Sequence, residues 1–490
     1  MELTKLLNSV KVIQVSGETL RREVSSVHFD SRRVGPYSLY VAVKGLVTDG
    51  HRFVMDAIAN GACAIVVEDE NALPSQMAIR MNVVKIVVKD TRKALAEFAN
   101  ALYGSPSEKL NLIGVTGTKG KTTTTYLIKS ALTTGDDKGV LMGSIANFVG
   151  DTEYPATHTT PESPQINDLL RRANDAGYTF GVMEASSHSL SLHRVHKLRF
   201  KVAVFTNLGS DHLDFHKTRE DYLAAKKILF DGLDQDAFAL VNADDENSQA
   251  IIRDTRATVK TYGFAEGADF RITASESGFA GTRVTVTYEG AEYIIHSKLP
   301  GHFNSHNVTA AFAAGIVLGK APEAVIAGIE TLKSVPGRFN VVSKGDRQVV
   351  IDFSHTTESL EQALISLRKL VGSDRELITV FGCGGERDKF KRPAMGRVAS
   401  EMSTRVIITS DNPRGEEPMS IINDILNGIS TNNYVVVPDR REAIKRAILE
   451  SSPNAVILLA GKGNEPYQII GDQKLPFLDE EVAQQYLNEV

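Results

Sequence analysis

The sequence predicts an α/β protein built from three domains, and three observations support this fold class. The chain has 490 residues, which is more than one hydrophobic core usually serves. Short apolar runs alternate with amphipathic segments of helical length, as in parallel strands connected by helices. Stretches typical of linkers or turns lie at residues 104–106 and 334–338. We therefore expect domains at residues 1–106, 107–337 and 338–490.

The overall composition is that of an ordinary globular protein. Hydrophobic residues make up 42% of the chain and charged residues 23%, and no apolar stretch approaches the ~20 residues of a membrane span. The N-terminal segment lacks the features of a signal or transit peptide, so we expect a cytoplasmic protein. Cys63 and Cys383 are the only cysteines, which argues against a disulfide framework or a cysteine metal site. The net charge of -5 argues against a nucleic-acid partner.

The first domain is predicted to be a small α/β unit. LYVAVKG and CAIVVE have the character of strands, and HRFVMDAIANGA that of the helix between them. Before them, Asp30 and Ser31 followed by two arginines suit a polar loop beside an anionic ligand. On these residues alone, a solvated turn is the better explanation.

The stretch LNLIGVTGTKGKTTTTYLIKS, residues 110–130, predicts a strand, a phosphate-binding loop and a helix. Gly117 and Gly120 permit close backbone approach, and Lys121 with Thr122 opens the helix. The full Walker A pattern requires a glycine where this chain has Val115, so the loop matches the shorter GxxGKT form. The alternative is a glycine-rich turn that binds no ligand.

Polar side chains follow the next two predicted strands. Glu184 comes at the end of FGVMEA, and Asn207, Asp211 and His212 follow KVAVFTNL. Ligands bind at the carboxyl ends of strands in open α/β sheets, and such groups beside a phosphate loop suit one or two Mg²⁺ ions. Each residue alone could instead be a hydrogen-bonded cap.

A predicted helix further along the chain carries Lys226 and Lys227. Tyr222, Ala225 and Leu229 give this helix an apolar face, and the spacing places Lys226 close to that face. A solvated helix edge is the alternative for both lysines.

The last third of the chain repeats the alternation of strands and helices and predicts a doubly wound sheet. Its predicted strands are QVVIDFSH, ELITVFGCGG, RVIITSDNPRG, NYVVVP and AVILLAGKGNEPYQII.

Ten ordered motifs give the whole chain a resemblance to a known family. They are GVTGTKGKTTTT, HTTPES, MEASSHSLSLHRV, NLGSDHLDFH, YLAAKKILF, GHFNSHN, VPGRFN, GCGGERDKFKRP, SDNPRGEEP and GKGNEPYQ. In this order they resemble the Mur ligases of peptidoglycan synthesis, and among these the ligases that add the third residue of the stem peptide.

The resemblance implies an N-terminal domain for a UDP-sugar, a central P-loop ATPase-like domain and a C-terminal Rossmann-like domain for an amino acid. It also implies an ATP-dependent, Mg²⁺-dependent ligase that serves cell wall synthesis, and so cell shape and division. Its substrates would be UDP-MurNAc-L-Ala-D-Glu, ATP and a diamino acid, joined through an acyl phosphate. We expect a monomer acting on small molecules.

The resemblance also implies roles for individual residues. The implied catalytic residues are Lys121, Glu184, His212 and Lys226. The residues implied to bind ATP are Gly117, Thr118, Lys119, Gly120, Lys121, Thr122, Thr123, Asn304, Arg338 and Asp352. Metal ligands are Thr122, Glu184, His212 and Lys226, the lysine as a CO₂-derived carbamate. Contacts to UDP-MurNAc-dipeptide fall to Ser31, Gly45, Leu46, Val47, Thr48, Thr159, Thr160, Ser186 and Arg194. Amino-acid contacts fall to Arg387, Asp411, Asn412, Pro413, Arg414, Gly461 and Glu465.

The DNPR motif resembles the form associated with meso-diaminopimelate. A guanidinium at Arg414 can bind the distal carboxylate, which lysine lacks. Two positions depart from the family pattern, because Phe353 stands where members usually have Tyr and Asn464 where they usually have His. L-Lysine or ornithine therefore stay open as alternative substrates.

Three other functions compete with this interpretation. They are a folylpolyglutamate-synthase-like ligase, a non-catalytic Mur-like binding scaffold, and a P-loop kinase or motor. HTTPES and DNPR argue against the first, the four retained catalytic positions against the second, and the ordered downstream motifs against the third.

Overall fold

The computed structural model describes residues 1–46, 48–209, 211–372 and 374–490, without the side chains of residues 213 and 214. It has the α/β architecture that the sequence predicts. The chain divides into two compact units, Met1–Arg271 with Ala310–Gly328, and Ile272–Thr309 with Ile329–Val490. The division at residues 106 and 337 stays a prediction. Within the described ranges, no helix has both the length and the apolar character needed to cross a membrane.

The N-terminal part of the first unit contains a five-stranded sheet in the order β1-β5-β4-β3-β2. Its elements are α1 (Leu3–Leu7), β1 (Val12–Ser16), β2 (Ser26–His28), β3 (Ser38–Val41), α2 (Val54–Ala59), β4 (Ala62–Val67), α3 (Ser75–Arg80), β5 (Val84–Val88) and α4 (Thr91–Leu102), with 3-10 turns at Ser31–Arg33, Gly50–Phe53, Glu70–Ala72 and Pro106–Lys109. Successive residues of β4 belong to different hydrophobic clusters, Val66 to one and Ile65 to the other. Both faces of the sheet are therefore covered, as predicted for an α/β unit.

The remainder of the first unit is built on a mainly parallel sheet. Its elements are β6 (Asn111–Thr116), α5 (Lys121–Leu132), β7 (Val140–Met142), β8 (Ala146–Val149), β9 (Thr152–Pro155), α6 (Ser163–Asp175), β10 (Phe180–Glu184), α7 (Ser187–Ser191), β11 (Val202–Phe205), α8 (Leu213–His216), α9 (Arg219–Asp231), β12 (Phe238–Asn242), α10 (Ser248–Ile252) and β13 (Thr258–Gly263). The strand order is β13-β12-β11-β6-β10-β7-β8-β9, with β8 and β9 antiparallel. Helix α9 begins where the Thr218 hydroxyl accepts a hydrogen bond from Asp221 N at 3.0 Å.

Three elements cross the boundary between the two units. They are β14 (Phe270–Gly278), α11 (Asn304–Val317) and α12 (Pro322–Thr331). In the second unit, β15 (Gly281–Tyr288) pairs antiparallel with β16 (Ala291–Ser297). This hairpin precedes the C-terminal sheet in the chain.

The second unit contains a six-stranded sheet in the order β17-β18-β22-β19-β20-β21. The elements are β17 (Asn340–Lys344), β18 (Arg347–Asp352), α13 (Thr357–Val371), β19 (Leu377–Phe381), α14 (Lys391–Met402), β20 (Arg405–Ile408), α15 (Pro418–Leu426), β21 (Tyr434–Val436), α16 (Arg440–Leu449), β22 (Val456–Ala460), β23 (Tyr467–Ile470), β24 (Gln473–Pro476) and α17 (Asp479–Leu487). Only the edge strand β17 is antiparallel to its neighbour within this sheet. Consecutive residues of β22, such as Ile457 and Leu458, belong to different hydrophobic clusters. Helices therefore cover both faces of the sheet.

Candidate functional site

The predicted phosphate loop, residues 117–123, lies at the carboxyl edge of three adjacent parallel strands. Strand β6 lies between β10 and β11, with Val115 beside Glu184 and Thr116 beside Phe205. The chain leaves β6 toward β7 on one side and later crosses from β10 to β11 on the other. This edge is therefore a topological switch point, where open α/β sheets bind ligands.

Hydrogen bonds to backbone and side-chain atoms hold the phosphate loop in place. Thr118 N donates to Asn207 O at 2.9 Å, and Lys119 N donates to Asn207 Oδ1 at 3.0 Å. Gly120 has a φ of +84° and directly precedes α5, whose N-terminus attracts anions. Lys121 Nζ donates to Gly117 O at 2.8 Å and Thr118 O at 2.9 Å. The lysine ammonium thus folds over the loop, close to where a bound phosphate would lie.

Gly117 is the loop position at which a side chain fits least. Its φ is +148°, and a Cβ there would lie 1.9 Å from Thr206 Oγ1. We expect Gly117→Ala to lower the unfolding free energy by roughly 1–3 kcal/mol and to weaken ATP binding, because the loop must move. Thermal unfolding with and without ATP would measure both effects. Gly135→Ala is the matched control, since its φ is +56° and a Cβ meets nothing within 4 Å. Equal behaviour of the two variants would contradict this prediction.

Glu184 is a buried carboxylate directly beside the phosphate loop. It is 1% exposed and accepts from Thr122 Oγ1 at 3.0 Å and from Ser144 N at 2.8 Å. Ser144 Oγ also donates to its second oxygen at 3.2 Å and lies 3.1 Å from Thr159 Oγ1. The structure therefore brings together two predicted metal ligands, Thr122 and Glu184. Sequence reasoning missed Ser144, although it follows the parallel strand β7 and so belongs to the same sheet edge.

Lys226 is buried inside the protein, so the solvated helix edge considered from the sequence is wrong for this residue. Its side chain is 1% exposed, and its ammonium lies 4.1 Å from the centre of the Tyr222 ring. Burial lowers the pKa of Lys226 well below its usual range; the Lys121 charge adds to the lowering and Asp211 opposes it. Lys227 differs, because it forms ion pairs with Asp231 and Asp254.

His212 lies at the end of the β11 loop and remains partly accessible. Its φ is +55° and its side chain is 47% exposed. Its ring centre lies 4.7 Å from that of His188, and its Nε2 lies 3.6 Å from Asp211 Oδ2. The imidazole therefore lies beside His188 of α7, the helix that follows β10.

The dipeptide-contact residues of the central region join this site through Thr160. Its hydroxyl donates to Glu184 O at 2.7 Å and accepts from Ser186 N at 3.1 Å. Its carbonyl oxygen accepts from Arg194 Nη1 at 2.9 Å. Glu162, which sequence reasoning did not single out, forms an ion pair with Arg194, with 2.8 Å between its Oε1 and Arg194 Nε.

The predicted uridine-end residues lie in the N-terminal part of the first unit. Ser31 is buried, and its carbonyl oxygen accepts from Asn60 Nδ2 at 2.9 Å. Gly45 N donates to Thr48 O at 2.9 Å, and Leu46 is exposed. Val47 falls outside the described residues.

Three predicted nucleotide contacts, Asn304, Arg338 and Asp352, lie in the second unit. Asn304 begins α11 and donates through Nδ2 to Pro300 O at 2.7 Å. The Arg338 guanidinium stacks over the Phe353 ring at 4.7 Å, so the departure at this position provides a surface for the arginine. Asp352 accepts from Phe339 N at 2.8 Å, and burial raises the pKa of its carboxyl group.

The predicted amino-acid contacts meet at the carboxyl edge of the C-terminal sheet, and we call them the C-terminal cluster. Its members follow β19, β20 and β22 and are Arg387, Asp411, Asn412, Pro413, Arg414, Gly461 and Glu465. Arg414 Nη1 donates to Gly385 O at 2.8 Å, and Asn412 Nδ2 donates to Glu465 Oε2 at 2.8 Å. Arg387 is exposed at the rim. A guanidinium, an amide and a carboxylate therefore line one edge.

Glycines allow the loops of the C-terminal cluster to approach one another. A Cβ at Gly461 would lie 2.7 Å from Asp411 Oδ2, and one at Gly385 would lie 1.9 Å from Pro413 O. Larger residues at either position would push the loops apart.

Three family descriptions match consecutive parts of the chain. "Mur ligase family, catalytic domain" matches residues 23–103, "Mur ligase middle domain" residues 115–315, and "Mur ligase, glutamate ligase domain" residues 337–463. A UDP-N-acetylmuramoyl-L-alanyl-D-glutamate--2,6-diaminopimelate ligase of Clostridium acetobutylicum is 40% identical over 493 residues, covering 100% of each chain. The chain belongs to the Mur ligase family. It is thus an ATP-dependent ligase that joins an acid to an amino acid.

Two further comparisons agree with this membership. A ligase of the same name from Solibacter usitatus is 43% identical to this Mur ligase, covering 99% of this chain and 98% of its own. A solved structure of a UDP-N-acetylmuramoyl-L-alanyl-D-glutamate--2,6-diaminopimelate ligase aligns with a TM-score of 0.70 and 29% identity, over 100% of this chain and 99% of that one. Both similarities extend over essentially the full length, so they include the central site and the C-terminal cluster.

The donor atoms of this Mur ligase suit Mg²⁺. Thr122 and Glu184 present oxygens within 3.0 Å of each other at the phosphate loop. In the part of the chain that the structure describes, no three His, Cys, Asp or Glu side chains form a metal-binding group.

Proposed function

We propose that this Mur ligase adds meso-diaminopimelate to UDP-MurNAc-L-Ala-D-Glu, with ATP converted to ADP and phosphate. The observation that carries the proposal is the C-terminal cluster, where Arg414 and Glu465 each form a hydrogen bond with Asn412. The distal end of diaminopimelate carries one carboxylate and one ammonium. A guanidinium and a carboxylate on one sheet edge complement both charges. The diaminopimelate ligases that match over the full chain support the same substrate.

The reaction needs an activated carboxylate, because a carboxylate resists attack by an amine. A carboxylate oxygen of the D-glutamate attacks the γ-phosphorus of ATP, and ADP leaves. The amine of the amino acid then forms the C–N bond, loses a proton, and expels phosphate as the acyl C–O bond breaks. Lys121 and the N–H groups of the phosphate loop would hold the transferred phosphate and stabilise its charge. Arg194 and Thr160, next to Glu184, would position the dipeptide.

Mg²⁺ would be held by Thr122, Glu184, His212 and Lys226, the lysine as a carbamate. When bound, the ion neutralises negative charge on the phosphate oxygens. A buried lysine whose neutral form is favoured is a suitable nucleophile for CO₂, and the carbamate turns a cation into an anion. We further propose that the enzyme acts as a monomer in the cytoplasm, where ATP and UDP-linked precursors are found.

Arg414→Ala tests the choice of amino acid. Its loss leaves the distal carboxylate unpaired, at a cost on the order of 2–5 kcal/mol for a desolvated charge. We expect kcat/KM for diaminopimelate to fall at least ~100-fold, at 1.4 kcal/mol per decade. The KM values for ATP and UDP-MurNAc-dipeptide should stay near wild type. Steady-state assays of phosphate release, with each substrate varied in turn, measure all three parameters.

Arg397→Ala is the matched control for this prediction. Arg397 is an exposed arginine on α14 that pairs with Glu401 at 3.2 Å, outside the C-terminal cluster. Its loss should leave all three parameters unchanged. A wild-type preference for lysine or ornithine would contradict the proposed substrate, and intact diaminopimelate use in Arg414→Ala would contradict the role of the arginine.

A further inference from the structure

Lys462 is a buried cation inside the C-terminal cluster that no part of the proposed reaction uses. Its side chain is 0% exposed. Its Nζ donates to Asn412 Oδ1 at 3.1 Å and to Glu465 Oε2 at 3.3 Å, and lies 5.7 Å from the centre of the Tyr467 ring. A buried ammonium is costly unless it is paired and hydrogen-bonded. The position of Lys462 is therefore determined by Asn412 and Glu465.

Asn412 closes this arrangement into a ring of three hydrogen bonds. Its Nδ2 donates to Glu465 Oε2 at 2.8 Å, the same oxygen that accepts from Lys462. Its Oδ1 accepts from Lys462 and also from Ile469 N at 2.9 Å. The amide therefore has one orientation, with its oxygen toward the two N–H donors and its nitrogen toward the carboxylate.

The ring leaves one oxygen of Glu465 available to a ligand. Oε2 receives two donors, whereas Oε1 accepts no hydrogen bond from the residues that the structure describes. With Oε2 fixed, rotation of the carboxylate is restricted and Oε1 has a defined direction. A carboxylate that is fixed in advance binds a cation with less loss of side-chain entropy.

We propose that Lys462 is a positioning residue for amino-acid specificity. It holds Asn412 and directs Glu465 Oε1 toward the distal ammonium of the amino acid. This inference rests on the proposed function, since it assigns to one atom the recognition of that ammonium. Without the lysine, Glu465 Oε2 loses one of its two donors and Asn412 Oδ1 loses one of its two donors.

The test compares meso-diaminopimelate with 2-aminopimelate, which keeps the distal carboxylate and lacks the distal ammonium. The measured quantity is the ratio of their kcat/KM values, which does not depend on the fraction of active enzyme. We expect wild type to favour diaminopimelate by ~10–100-fold, the value of one charge-assisted hydrogen bond. In Lys462→Met the ratio should approach 1, as it should in Glu465→Gln. The double variant should show no further loss, because both residues act through one contact.

Lys85→Met is the matched control for loss of a buried lysine. Lys85 is 3% exposed and donates to Glu70 O at 2.6 Å in the N-terminal sheet. Its ratio should equal that of wild type. If Lys462→Met does not fold, Lys462→Gln replaces it, because glutamine is a neutral hydrogen-bond donor. In this variant the logarithm of the kcat/KM ratio should fall to half of the wild-type value or less.

The outcomes separate this inference from the proposed function. Wild-type discrimination in both Lys462 variants would overturn the positioning role, as would equal use of the two amino acids by wild type. Either result leaves diaminopimelate ligation intact. Absence of diaminopimelate use by wild type would instead contradict the proposed function itself.

Discussion

Lys121→Ala should nearly abolish the formation of ADP and phosphate that depends on UDP-MurNAc-dipeptide and a diamino acid. We expect kcat to fall by at least 10²–10³-fold, the approximate effect of removing one donor that stabilises transition-state charge. The structure gives the reason, since Lys121 Nζ lies 2.8 Å from Gly117 O and 2.9 Å from Thr118 O, directly over the phosphate loop. Strong turnover in this variant would contradict the assignment of the loop.

Lys129→Ala is the matched control for Lys121→Ala. Lys129 lies two turns later on the same helix α5, and its Nζ lies 5.8 Å from the centre of the Phe148 ring. It is a partly buried lysine outside the phosphate loop, so its loss should leave kcat near wild type. Thermal unfolding of both variants tests whether helix α5 is intact, and ATP binding measured by calorimetry separates loss of affinity from loss of the chemical step.

The fold was predictable where local pattern decides the structure. The apolar run before Gly117 and the glycines with Lys121 predict a strand, loop and helix, and the structure has β6, the phosphate loop and α5 there. Strand order was not predictable in this way, because pairing of β6 with both β10 and β11 joins segments far apart in the chain. Glu184 and Asn207 could still be placed near the loop. Parallel strands have their carboxyl ends at the same edge of a sheet, whatever the strand order.

The parts of the site that sequence reasoning missed depend on packing in three dimensions. Helical spacing placed Lys226 only at the margin of an apolar face, whereas the fold buries it completely. Ser144 follows a three-residue strand without a motif of its own, yet it donates to both oxygens of Glu184. Lys462 belongs to the motif GKGNEPYQ, but the motif does not show what the lysine contacts. Its partners, Asn412 and Glu465, are known only from the side-chain distances.

Lys226→Ala should be nearly inactive, because the proposed metal site would lose its second anion. The ammonium form cannot bind a cation, so the proposed site requires that the lysine first react with CO₂. Burial favours this step, since the neutral amine is the nucleophile and the pKa of Lys226 is lowered well below its usual range. Small carboxylic acids that enter the vacated space should restore part of the activity, because they replace the carbamate charge.

The proposed carbamate can be tested without an activity assay. Wild type equilibrated with ¹³C-bicarbonate should show a carbamate carbon resonance that is absent from Lys226→Ala. Lys227→Ala is the matched control, since Lys227 is the next residue of α9 and forms ion pairs with Asp231 and Asp254 at 2.5 Å. It should keep the resonance and the activity, because its ammonium is charged and unreactive toward CO₂. Full activity of Lys226→Ala without rescue, or an unchanged resonance in that variant, would show that this lysine only fills the interior beside Tyr222.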